Sequence, residues 1–205
     1  MDMQLDLFGG GAPMLTRAGR TLPTHRWYFT LLPPPALAQD MEYFALRMSR
    51  RHGVRRPVRA GRIHASLNGL GEGEDASFDD LDAALEIGDA IRHPRFDISF
   101  DRLTTWGRPA GRTDRRQRPT VLTCSTGQRE FVALHASLRR EMLRHGLKGG
   151  PASTVPHVTL WYDPAGIPEL LLARPFRWSV RQFWLVRTTL GEPRPECLGE
   201  WQLGR

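Results

Sequence analysis

The sequence predicts an α+β fold built as two pseudo-symmetric lobes of antiparallel-rich sheet, with outer helices and an active cleft between the lobes. Three observations predict it. Stretches alternating at period two, the mark of strands, are interleaved with longer stretches of helical spacing. Their order is strand, helix, strand, helix, strand, followed by strand, helix, strand, a short element and two strands, a pattern that suits two similar lobes. The tetrapeptide His-x-Ser/Thr-x falls in one strand of each half, as His64-Ala65-Ser66-Leu67 and His157-Val158-Thr159-Leu160. At 205 residues, 40% of them hydrophobic, the chain can build one sizeable domain or two intimate lobes.

Residues 1–24 are Gly-rich with little periodicity and read as a flexible tail, which leaves 25–205 as the folded domain. His25 to Leu32 reads as a strand. Pro33-Pro34-Pro35 ends it and opens a helix to about Arg51, with Leu37, Met41, Phe44 and Met48 on one face. A basic loop leads to a strand over Arg62 to Leu70. Ser77 and Asp80 resemble a capping box for a helix to about Arg92, with Phe78, Leu81 and Leu85 inward. Phe96 to Trp106 alternates as a strand, and Arg108 to Arg118 is an Arg/Gly/Pro loop. Pro119 to Ser125 is a strand, Arg129 to His145 a long helix, and Val155 to Tyr162 a strand. A short irregular or helical piece precedes strands near Phe176 to Leu190 and Cys197 to Leu203.

Composition narrows the function. The net charge is +7 and the pI about 10.5, a balance that favours polyanions, nucleic acid above all. The excess is clustered at Arg47, Arg50, Arg51, Arg55, Arg56 and Arg59, and again at Arg108, Arg112, Arg115, Arg116 and Arg118. Lys148 is the one lysine, so the charge is guanidinium, which suits bidentate phosphate contacts. No apolar run approaches the ~20 residues of a membrane helix, and the acidic start does not read as a signal peptide. Cys124 and Cys197 stand far apart and read as reduced thiols of a cytoplasmic protein. No Cys/His cluster has zinc spacing. We therefore expect no metal, no cofactor and no membrane, and a monomer.

The repeated tetrapeptide carries the chemistry. Residues i and i+2 of a strand share a face. His64 and Ser66 thus point one way, as do His157 and Thr159, and two imidazoles with two hydroxyls can meet in one cleft. Such a set suits metal-free phosphoester chemistry. The chain also holds its own control, His135-Ala136-Ser137-Leu138, within a helix where Phe131, Leu134, Leu138 and Met142 keep helical spacing. On a helix i and i+2 diverge by about 200°, so His135 reads as a structural or surface residue. His25, His52, His93 and His145 read as surface or cap residues.

Several stretches resemble one family, the bacterial and archaeal RNA 2′,3′-cyclic phosphodiesterases, historically called 2′-5′ RNA ligases, of the two-histidine phosphoesterase superfamily. Arg26-Trp27-Tyr28-Phe29-Thr30-Leu31-Leu32-Pro33 is similar to its opening strand. His64-Ala65-Ser66-Leu67-Asn68-Gly69-Leu70-Gly71-Glu72 is similar to its first motif, and Pro156-His157-Val158-Thr159-Leu160 to its second. Phe176, Val180, Phe183 and Leu185, then Leu198, Trp201 and Leu203, follow its closing strand pair, so the resemblance covers about residues 25–203. It implies hydrolysis of RNA 2′,3′-cyclic phosphate ends to 2′-phosphates, with reversible 2′-5′ ligation by the same groups. It implies His157 as base, His64 as acid, and Ser66 and Thr159 as donors to the non-bridging oxygens. Arg62, Asn68, Trp161 and Tyr162, beside the motifs, are the substrate-contact candidates, with Trp161 expected to stack on a base from the His157 face. Two departures stand out. Ser66 replaces the usual Thr and lacks the methyl that stiffens the rotamer. Trp161 and Tyr162 stand where a basic residue often follows the second motif.

A second reading comes from the tail. Gln4-Leu5-Asp6-Leu7-Phe8 is similar to the peptide by which bacterial polymerases and repair proteins dock on the sliding clamp. Leu5, Leu7 and Phe8 would serve as apolar positions and Gln4 as the polar one. On this reading the protein is a nucleic-acid-end adaptor tethered to the clamp.

Overall fold

The computed structural model describes residues 25–54, 57–72, 78–107, 117–149, 154–189 and 192–204. Outside them lie the tail with Gln4, Leu5, Leu7 and Phe8, the Ser77 cap, and Arg55, Arg56, Arg108, Arg112, Arg115 and Arg116. In chain order the elements are β1 (His25–Leu31), α1 (Pro35–His52), a 3-10 turn (Ala60–Arg62), β2 (Ala65–Glu72), α2 (Phe78–Ala90), β3 (Phe96–Thr105), β4 (Arg118–Thr126), α3 (Gln128–Arg144), β5 (His157–Asp163), β6 (Leu170–Val180), β7 (Gln182–Thr189) and β8 (Glu196–Gln202). They form two four-stranded antiparallel sheets, ordered β2-β1-β7-β8 and β5-β4-β3-β6. The fold is α+β with two lobes, as expected.

The lobes are not consecutive halves of the chain. β3 joins the second sheet, and β7 and β8 return to the first. The cause lies in β1, whose residues Trp27 to Leu31 are all buried. A strand buried on both faces is a central strand and needs a neighbour on each edge. β2 supplies one and β7 the other, with Phe29 opposite Leu185 and its ring 6.1 Å from that of Phe183. Arg181 alone separates β6 from β7, so the chain steps from sheet to sheet there. Two boundaries also differ from expectation. β6 begins at Leu170, within the stretch read as irregular or helical. It is an edge strand whose first residues are largely exposed, and so lacks the alternation that reveals a strand. Arg62 closes a 3-10 turn, and β2 begins only at Ala65, so His64 stands at its mouth.

The helices form where spacing and caps agree. Pro35 at the start of α1 supplies a preset φ and no N–H to satisfy. Ala38, Met41, Ala45, Met48 and Ser49 bury one face. Gly53, at φ 68°, stops the helix in the left-handed conformation, its N–H donating to the Ser49 carbonyl. α3 buries Phe131, Leu134, His135, Leu138 and Met142, so the control histidine is structural, with Nε2 unpartnered among the described residues. His93 is also buried, its Nδ1–H on the Pro94 carbonyl at 2.8 Å, because the chain end covers it through the Gly204 N–H to His93 carbonyl bond. Gly88 in α2 is fixed by packing. A Cβ there would strike the Trp201 indole, whose Nε1–H donates to Asp89 at 2.7 Å. One core runs through both sheets, including Phe29, Met41, Ile63, Phe100, Phe131 and Phe183. Burying each such side chain contributes about 1.5–3 kcal/mol.

Candidate active site

His157 opens the edge strand β5 of the second sheet, His64 immediately precedes the edge strand β2 of the first, and the two strands touch. A backbone bond joins the lobes here, from Val58 N–H to the Leu160 carbonyl at 2.7 Å. Leu160 is free to accept it because it is an extra residue. Thr120 pairs with Trp161 but Val121 with Thr159, which is a β-bulge at Leu160. β2 carries the same device. Phe29 pairs with Asn68 and Thr30 with Ser66, a bulge at Leu67. Both bulges fall on the Leu that closes each tetrapeptide.

The bulges decide which candidates meet. Before them, alternation holds: Ser66 lies opposite Thr30, and His157 and Thr159 are half-buried between buried neighbours. After them the faces reverse. Trp161 turns into the core at 0% exposure, and Asn68 sits opposite the core residue Phe29 at 2%. The expectation that Trp161 stacks on a base is thereby corrected, and Asn68 is removed as a substrate contact for the same reason. Each leaves a polar atom, Trp161 Nε1 and Asn68 Oδ1, buried without a partner among the described residues. Tyr162, one residue further, is half-buried and close enough to Tyr28 for their charges to interact. The structure therefore groups His64, Ser66, His157, Thr159, Tyr162 and Arg62, and leaves out Asn68 and Trp161. Gln4, Leu5, Leu7 and Phe8 lie outside the described residues.

The two imidazoles are held alike. His64 Nδ1 lies 2.7 Å from the Arg62 carbonyl, and His157 Nδ1 lies 2.8 Å from the Val155 carbonyl. A carbonyl only accepts, so each Nδ1 carries the hydrogen and in each neutral ring Nε2 is the unprotonated nitrogen. Each ring also rests against an aromatic: Tyr28 at 5.2 Å from His64 and Trp106 at 4.5 Å from His157. The hydroxyls of Ser66 and Thr159 take no partner among the described residues and can donate to a ligand. No group of three or more His, Cys, Asp or Glu side chains is placed to hold a metal among those residues.

Burial sets the charge states. It pushes His64 down to about 4, helped by the positive charges of His157 and Arg62 and opposed by the bond to the Arg62 carbonyl. Burial also lowers His157, against the bond to the Val155 carbonyl. Both rings are neutral in the free protein at pH 7. Burial raises the Tyr28 hydroxyl, while Thr188, Arg62 and Arg26 pull it down. A folded-state pKa below the unfolded one gives stability that is complete above about 6.5 and is lost as pH falls through about 4. For His64 the full span is up to about 3 kcal/mol. Urea denaturation from pH 7 to 4 should show a shallower fall for His64→Gln than for wild type. Parallel falls would remove His64 as the cause.

Two participants escape sequence reasoning. Tyr28 enters the sequence only within the opening strand, and Trp106 only as the last alternating residue of another. Neither local pattern shows what lies opposite. The arginines divide as well. Arg47, Arg50 and Arg51 are exposed on α1, and Arg59 pairs with Glu42 at 3.1 Å. Arg62 donates to the Glu192 carbonyl, which ties the start of β2 to the loop after β7. Arg118 is structural, donating to the carbonyls of Gly107 (2.9 Å) and Ala165 (3.2 Å).

A family model described as the 2′-5′ RNA ligase superfamily matches residues 33–192. Among solved structures, Escherichia coli LigT in apo form is similar at TM-score 0.71 and 22% identity, over 88% of this chain and 98% of that one. LigT complexed with 3′-AMP gives 0.68 and 22%, over 88% and 99%. TT0787 of Thermus thermophilus gives 0.62 and 20%, over 86% and 97%. None of the curated proteins matches this sequence. At these identities the solved structures speak for the fold.

Proposed function

Because this chain belongs to the 2′-5′ RNA ligase superfamily, we propose that it hydrolyses RNA 2′,3′-cyclic phosphate ends to 2′-phosphates without a metal. The observation that carries this is the matched pair of imidazoles. Both stand at the start of edge strands that touch, both are fixed through Nδ1–H to a carbonyl two residues back, and both present Nε2. Hydrolysis of a cyclic diester needs one proton acceptor and one donor, and histidine serves as either. His157 Nε2 takes a proton from water as its oxygen bonds to phosphorus. The bond from phosphorus to the ribose 3′-oxygen breaks, and His64 Nε2 protonates that oxygen. Ser66 and Thr159 donate to the non-bridging oxygens, where charge grows. With a 5′-hydroxyl in place of water, the same step joins a 2′-5′ linkage, and run backwards it cleaves one.

His64 is uncharged in the free protein, so its role as acid depends on the substrate. The anionic diester supplies the charge that raises its pKa. Arg62, whose charge already reaches His64 and Tyr28, serves the phosphate in place of a basic residue after the second motif, and Tyr162 borders it. That LigT has been crystallised with 3′-AMP supports a phosphorylated nucleotide as ligand. Among the described residues no helix is long and apolar enough to cross a membrane, and an RNA substrate fits action in the cytoplasm. The test is conversion of a short RNA with a 2′,3′-cyclic phosphate end in EDTA. A 2′-phosphate product supports the proposal, and loss of all activity in chelator overturns it.

The tail peptide supports a second role, tethering to the bacterial sliding clamp through Gln4, Leu5, Leu7 and Phe8. Pull-down of the clamp by the full chain should be lost in Phe8→Ala with turnover unchanged. Equal capture by both chains would reject it.

A further inference from the structure

We infer that Trp106 is the surface on which the nucleobase at the cyclic-phosphate end stacks, so that the site grips the terminal nucleotide by its base as well as its phosphate. The inference rests on the cyclic-phosphate reading above. Trp106 follows the last residue of β3, and its ring centroid lies 4.5 Å from that of His157, with the planes inclined at 57°. Base and cyclic phosphate share one ribose, so a ring against a histidine that meets the phosphate is within reach of the base.

Burial sets three of the other tryptophans aside. Trp27, Trp161 and Trp178 are buried at 7%, 0% and 6%, and Trp201 is committed to Asp89 and Phe183. Trp184 is half-buried as Trp106 is, but it stands on β7, in the sheet that does not carry His157. Trp106 is half-buried and stands beside His157.

Trp106 is also held in place from several sides. Its N–H donates to the Pro119 carbonyl at 2.9 Å. The next residue, Gly107, takes φ +89°, and Arg118 clamps its carbonyl at 2.9 Å while reaching Ala165 at 3.2 Å. The backbone that carries the indole is thus fixed before any ligand arrives, which lowers the entropy cost of binding. Every base offers a π-face, so such a wall tolerates any base.

The experiment compares adenosine 2′,3′-cyclic phosphate with ribose 2′,3′-cyclic phosphate, which lacks the base. Wild type should prefer the nucleoside in kcat/KM by about 5- to 150-fold, the range of base–aromatic stacking. Trp106→Leu keeps apolar volume against His157 but has no π-face. It should abolish most of that preference, and Trp106→Phe should restore most of it. If Trp106→Leu slows both substrates equally, Trp106 acts through His157 and the inference is overturned. A preference unchanged by Trp106→Leu overturns it too. Wild type that hydrolyses both substrates equally rejects the stacking role alone, whereas wild type that hydrolyses neither rejects the parent reading with it.

Discussion

Replacing His64 or His157 by alanine should lower turnover of a cyclic-phosphate RNA end by about 10²- to 10⁴-fold each, while the RNA stays bound. The two losses do not multiply in the double variant, because acid and base act in one concerted set. Single-turnover rates in EDTA measure both statements. An undiminished rate in either single variant would take that imidazole out of the reaction. The pH profile follows from burial. kcat/KM reports the free protein, in which both imidazoles lie below the ordinary histidine value, so its optimum falls below about pH 6.5. kcat reports the complex, where the bound anion raises the acid, so its profile moves to higher pH. Superimposed profiles would show that the phosphate does not recharge His64.

Trp161→Ala should destabilise rather than disarm the protein. The side chain is fully buried, and truncating such a residue costs about 3–5 kcal/mol. Domains hold about 5–15 kcal/mol in all, so the variant loses a large share of its margin. The urea midpoint measures it. A variant of normal stability with a raised KM would put Trp161 in the cleft after all, and the bulge at Leu160 would be wrong.

That bulge marks where the sequence stops being legible. Period two placed His64 with Ser66 and His157 with Thr159, and helical spacing set His135 aside, because those relations are local. An extra strand residue is defined by its partner: Leu160 is extra only against Thr120 and Val121, and Leu67 only against Phe29 and Thr30. Alternation within β5 alone therefore carried Trp161 to the wrong face, and within β2 it did the same to Asn68. Trp106 stayed hidden for a related reason, since its neighbour His157 comes from another strand. Sheet membership escaped too. The continuous burial of β1 calls for two neighbours, but nothing within Trp27 to Leu31 says that the second is β7.

The interleaving has a consequence for synthesis. β3, β4, β5 and β6 follow one another in the chain, so the second sheet, with His157, has all its strands as soon as Val180 has emerged. The first sheet must wait, since His25 pairs with Thr189 and β8 comes later still. Such distant pairings are the slow step of folding. On the ribosome, the His157 half should be ready first and the His64 half should close later, so that the two imidazoles are brought together only once β7 has been made.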